Sequence, residues 1–136
     1  MAQYPPVANQ ILKGPGYSQS GTAPVNIDFA NSSFRGIVIS YKASAITGST
    51  PTIDVKLQGM DANRNYYDIY AAAMVQNTAA DIANVYQLTV YPGLTNATTG
   101  KVKNQDGVLP ANLRLVVTLG GTNPVATLGI AYTFLP

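Results

Sequence analysis

The stretch STPTIDVKLQGMDANRNYYDIY, residues 49–70, decides the reading of the fold. Ile53, Val55 and Leu57 alternate with Asp54, Lys56 and Gln58. A period of two sends the apolar side chains to one face of a β-strand and the polar ones to the other. Gly59, Asp61, Asn63 and Asn65 follow, residue types that tolerate left-handed backbone or bond their own main chain in turns. Tyr66, Tyr67, Asp68, Ile69 and Tyr70 then resume an aromatic, strand-like pattern. The stretch predicts a β-hairpin.

The same alternation extends in both directions. Val25, Ile27 and Phe29 alternate with Pro24, Asn26 and Asp28, and the consecutive β-branched Ile37, Val38 and Ile39 suit a central strand over residues 34–42. Turn residues at 31–33 suggest that these two strands form a hairpin, and residues 43–51 read as a small-residue loop. Residues 71–84, AAAMVQNTAADIAN, have the strongest helical propensity in the chain. Their apolar positions keep no steady period, so a single helical turn near 79–83 is expected and otherwise a loop. Residues 85–91 alternate as a strand that Pro92 and Gly93 end, and 94–109 read as a long polar loop. Leu113, Leu115, Val117 and Leu119 mark another strand, GGTNP at 120–124 a turn, and Leu128, Ile130, Tyr132 and Phe134 a closing hairpin strand.

Seven or eight short strands with almost no helix predict an all-β fold, an antiparallel β-sandwich or jelly roll. Residues 1–20, with Pro5, Pro6 and Pro15, read as an extended N-terminal arm, leaving 21–136 as a single β-sandwich domain. A domain of this size buries roughly two-thirds of its unfolded surface and needs no disulfide or metal to fold.

The 136 residues include no cysteine and no histidine, which removes thiol chemistry, disulfides and the commonest metal ligands. Charged residues make up 10% of the chain, against about a quarter in an average soluble domain. A surface of amides and hydroxyls favours a structural protein rich in interfaces. The net charge of +2 comes from scattered Lys and Arg, so neither a nucleic-acid stripe nor a nucleic-acid partner is expected. No apolar run reaches membrane-spanning length and MAQYPPVANQ lacks the parts of a secretory signal, so synthesis in the cytoplasm and no membrane partner are expected.

Acid–base catalysis would have to draw on Asp28, Asp54, Asp61, Asp68, Asp81 and Asp106. None stands in a catalytic motif, so a non-enzymatic protein without cofactor or metal is expected. The D-x-N-x-N of Asp61, Asn63 and Asn65 has Tyr66 at the sixth position of a calcium loop and Ala72 at the twelfth, so it reads as hairpin-turn chemistry. Tyr66, Tyr67 and Tyr91 are candidates for stacking on a saccharide or on another protein, although alternation sets Tyr66 and Tyr67 on opposite faces.

The run PTIDVKLQGMDANRNYYDI, then VYPGLT, then VLPANLRLVVTLGGTNP and a closing alternating strand resemble the small all-β virion proteins of tailed bacteriophages. Members of that family share a D-V-K-L-Q-G strand, an acidic or amide turn, Y-Y-D, a P-G-L turn and an L-P-x-x-L-R-L-V-V-T strand. Met60 and Arg64 stand where the family has a small polar residue and glycine. The resemblance spans residues 53–134 and implies a capsid decoration protein located in the virion. Such a protein sits on the outer surface of the head as a small homo-oligomer, often a trimer, and bridges subunits of the major capsid protein. On this reading Tyr4, Ile11 and Leu12 of the arm contact a neighbour, and Tyr66, Tyr67 and Tyr91 belong to oligomer or capsid interfaces. The competing expectations are a carbohydrate-binding module of a fibre or tail, and a tail or neck component that forms larger rings.

Overall fold

The computed structural model describes residues 10–78, 82 and 84–136, with 70–72 described by their backbone. The expected helical turn at 79–83 falls mainly outside the described residues, as do Tyr4 and the rest of residues 1–9. Among the described residues the fold is all-β, with nine strands and no helix. The strands are β1 (Gln10–Ser20), β2 (Val25–Ala30), β3 (Gly36–Met60), β4 (Tyr66–Ala73), β5 (Asn77–Thr78), β6 (Val85–Val90), β7 (Ala97–Thr99), β8 (Val102–Gln105) and β9 (Asn112–Leu135).

Two very long strands form the spine. β3 and β9 run antiparallel from the Gly36–Leu135 pair to the Gly59–Leu113 pair, with register shifts near Ala43, Ser49 and Thr52. The sequence had suggested a loop at 43–51 and a hairpin turn at 120–124. Instead the two segments face each other and form a corner inside one continuous ladder. Gly48 and Gly121 have φ of 119° and 96°, and Thr50 and Asn123 also lie at positive φ. A side chain at Gly121 would place its Cβ 2.6 Å from the Ser49 carbonyl oxygen, so only glycine lets the two backbones cross this closely.

The corner divides the ladder into two halves with different flanking strands. The half nearer Gly36 carries β1 against β9 and β6 against β3, and β8 and β7 extend it outward. The half nearer Gly59 carries β2 against β9, and β4 and β5 against β3. β2 therefore pairs with β9, Val25 opposite Val117, and not with β3 as its position in the chain had suggested. The hairpin predicted from residues 49–70 is present, with Gly59 opposite Tyr67 and Met60 opposite Tyr66. The polar stretch 94–109 contains β7 and β8, and β8 runs parallel to β6, which makes the sheet mixed.

Alternation explains which faces meet. Ile37, Ile39 and Tyr41 from one half and Ile53, Val55 and Leu57 from the other are all buried, together with Leu88, Leu115, Val117, Leu128 and Ile130. They belong to one hydrophobic core, in which the two halves fold onto each other in a sandwich-like arrangement. Phe29 of β2 meets Tyr132 and Phe134 of β9 with ring centroids 5.1 and 6.4 Å apart, and Gln19 Nε2 donates to the Val117 carbonyl at 3.0 Å. Asn31 ties the open end, donating to the carbonyls of Phe34 and Pro110 while its Oδ1 accepts the Phe34 amide.

Candidate interaction surface

Register places Ile11, Ala131, Ser40, Gln87 and Val102 side by side across β1, β9, β3, β6 and β8. Their neighbours along β3 and β9 point inward, so this row lies on the outward face of the first half. The face carries mostly small side chains, with Lys13 and Lys42 as its charges. Gly129, Thr127 and Thr133 lie on the same strands, and Val85 stands 55% exposed at the start of β6. Ile11, Lys13, Pro15, Ser40, Lys42, Val85, Gly129 and Ala131 line a groove of about 200 Å³ here. Lys13 lies 5.0 Å from the Tyr17 ring centroid, and neither Lys13 nor Lys42 has a carboxylate partner among the described residues.

The outward face of the second half is built differently. Arg114 Nε donates to Asp28 Oδ1 at 2.6 Å, and Lys56 Nζ lies 3.1 Å from Asp68 Oδ1. Gln58 donates to Asp68, and Gln76 donates to both oxygens of Asp54. The bond from Arg114 holds the Asp28 carboxyl below the usual carboxylate range, and the bonds from Gln58 and Lys56 do the same for Asp68. This face satisfies its charges within the chain.

The residues singled out by sequence are spread over the surface. Ile11 is on the outward face of the first half, 74% exposed, whereas Leu12 turns the other way and packs partly buried against the core. Tyr66 lies under Arg114, with the guanidinium carbon 3.5 Å from its ring centroid. Tyr67 is 42% exposed beside Gly59. Tyr91 packs by Gly36, lies 5.3 Å from the Arg35 guanidinium and donates its hydroxyl to the Pro136 carbonyl at 2.9 Å. Among the described residues no ring contact joins any two of these three tyrosines.

The D-x-N-x-N segment closes the β3–β4 turn on itself. Asp61 Oδ1 accepts the amides of Asn63 and Asn65 at 2.8 and 2.9 Å, and these bonds keep its carboxyl below the usual range. Among the described residues no three Asp, Glu, His or Cys converge in a way that could hold a metal ion. Sequence reasoning missed Lys42 and Val85. The signal available for Val85 was its place on the polar phase of the 85–91 alternation, opposite Tyr86 and Leu88.

Neither models of known protein families nor curated protein sequences match this chain.

Proposed function

We propose that the chain is a non-enzymatic structural protein of a tailed-phage virion, a decoration protein that seats on the outside of the head. It assembles as a small homo-oligomer, preferentially a trimer, and bridges neighbouring subunits of the major capsid protein. On this reading the fold is a jelly-roll-type sandwich, and the N-terminal arm of residues 1–20, whose residues 10–20 pair with β9 of the same chain, contacts a neighbour through Ile11. It is made in the host cytoplasm and adds to the shell there.

The observation that carries the reading is the outward face of the first half of the ladder. It is several strands wide, carries Lys13 and Lys42 but no carboxylate in its groove, and raises Ile11 and Val85 into solvent. Exposed apolar side chains on a flat face with few charges to desolvate suit contact with other protein. Each contact is weak alone, and many copies linked on a lattice multiply them through effective concentration. The resemblance over residues 53–134 supplies the virion context.

Immunogold microscopy with antibodies against this chain, on virions from cells carrying its gene, tests the proposal. Label over the head surface is expected. Label confined to tail or neck would move the protein to another virion position, and unlabelled virions would overturn the virion reading.

A further inference from the structure

Ile11 and Val108 are the two most exposed large apolar side chains among the described residues, each 74% accessible. They stand near opposite ends of β6. Ile11 walls the groove beside Lys42 and Val85, at the start of β6. Val108 follows Gly107, which sits between Val90 at the far end of that strand, five residues or roughly 17 Å away, and Ile69 of β4.

The groove and the Val108 loop are complementary. The groove has Ile11 and Val85 on its outer strands, Gly129, Ala131 and Ser40 between them, and two cations, Lys13 and Lys42, with no carboxylate lining it. The loop offers an apolar knob with an acid two residues before it. It is held in place from several sides. Asp106 Oδ1 accepts the Gly93 amide at 2.7 Å, the Asp106 amide donates to Asn96 Oδ1 at 2.7 Å, and Gln105 Nε2 donates to the Asp106 carbonyl at 3.0 Å. Leu109 anchors the loop in the core. A knob fixed in advance loses little freedom on docking.

We infer that the groove lined by Ile11, Val85, Lys13 and Lys42 receives the Asp106–Val108 loop of a second copy of this chain. Val108 fills the apolar groove and the Asp106 carboxylate meets Lys42 and Lys13. Two other occupants fit less well. A groove-to-groove contact sets lysines against lysines, and residues 1–9, MAQYPPVAN, contain no carboxylate. Because knob and groove are two different surfaces of the chain, the contact is head-to-tail. Repetition of such a contact gives a closed ring when its rotation closes, and a trimer is one such ring. The inference deepens the oligomer part of the proposed function and needs no capsid.

The test is native mass by light scattering of the purified full chain, wild type and two surface variants. Val108→Arg spoils the knob and leaves the groove, and Val85→Arg spoils the groove and leaves the knob. Ile11→Arg replaces Val85→Arg if circular dichroism shows that variant unfolded. Wild type is expected to form a ring, each variant alone to associate roughly tenfold or more weakly, and an equimolar mixture to form a one-to-one dimer through its single intact contact. A wild type that is monomeric at every concentration, variants that keep the wild-type mass, or a mixture that stays monomeric would each overturn the inference. A ring indifferent to the substitutions refutes this contact and leaves capsid binding to the immunogold result.

Discussion

Arg114 lies over Tyr66, with its guanidinium carbon 3.5 Å from the ring centroid, and β9 and β4 meet through that contact on the outer face of the second half. The same guanidinium makes two bonds to Asp28 on β2, Nε to Oδ1 at 2.6 Å and Nη2 to Oδ2 at 3.2 Å. One planar cation therefore ties three strands together. A lysine can neither fork onto a carboxylate nor stack as a plane. Arg114→Lys is expected to lower stability only modestly, since the pair is solvated and salt screens it. Urea unfolding measures this, and a midpoint equal to wild type at low salt would show that the contact contributes nothing.

Asn77 and Tyr41 give an expectation of the opposite sign. Asn77 of β5 is fully buried beside the Tyr41 hydroxyl, yet neither the amide nor that hydroxyl reaches hydrogen-bonding geometry with a partner among the described residues. Burial pushes the Tyr41 phenol far above its ordinary range. A buried polar group without a partner costs about 1–3 kcal/mol, and replacing both members by apolar groups of similar shape removes that cost. The double variant Asn77→Leu with Tyr41→Phe is expected to match or exceed wild type by up to about 1 kcal/mol. Loss of more than that in chemical denaturation would mean that the two side chains bond each other well.

At the corner, Gly121→Ala would drive a methyl group into the Ser49 carbonyl at a φ of 96°. A loss of about 1–3 kcal/mol is expected. Thr50, a β-branched residue held at φ 48°, is strained in the same corner, so Thr50→Gly should gain up to about 1 kcal/mol. Thermal unfolding of the two variants should move in opposite directions. Shifts of the same sign would refute the assignment of strain.

The pH dependence follows from Asp28, Asp61 and Asp68, whose carboxyls are all lowered from 3.8 in the fold. A lowered folded-state value means that the unfolded chain binds protons first as the medium is acidified. The associated stability is therefore fully present above about pH 5 and is lost as pH falls through the carboxylate range. With no histidine in the chain, stability should be flat between about pH 5 and 8. A titration of the urea midpoint that slopes near pH 6.5 would contradict this.

Local pattern made several strands legible and left their partners hidden. Ile53 to Leu57 and Leu113 to Leu119 alternate cleanly, and both are strands whose apolar phase is buried. The turn chemistry of Gly59 to Asn65 correctly announced the β3–β4 hairpin. GGTNP and the small residues at 43–51 misled because glycine, asparagine and proline serve a ladder corner as readily as a hairpin. Nothing periodic in Val25, Ile27 and Phe29 could reveal that their partners are Val117, Leu115 and Leu113. Val102 to Gln105 pairs with β6 by its backbone alone, so its polar side chains gave no strand signal. The groove combines Ile11, Lys42 and Val85 from three strands, and only the register brings them together.

β9 comes last in the chain and is the ladder partner of β1, β2 and most of β3. A nascent chain leaving the ribosome therefore exposes β1 and β2 with no partner strand until the residues beyond 112 follow. Contacts closed over some 90 residues also slow the search for register. The time between emergence and completion of β9 is when its unpaired strand edges are open to the wrong neighbour.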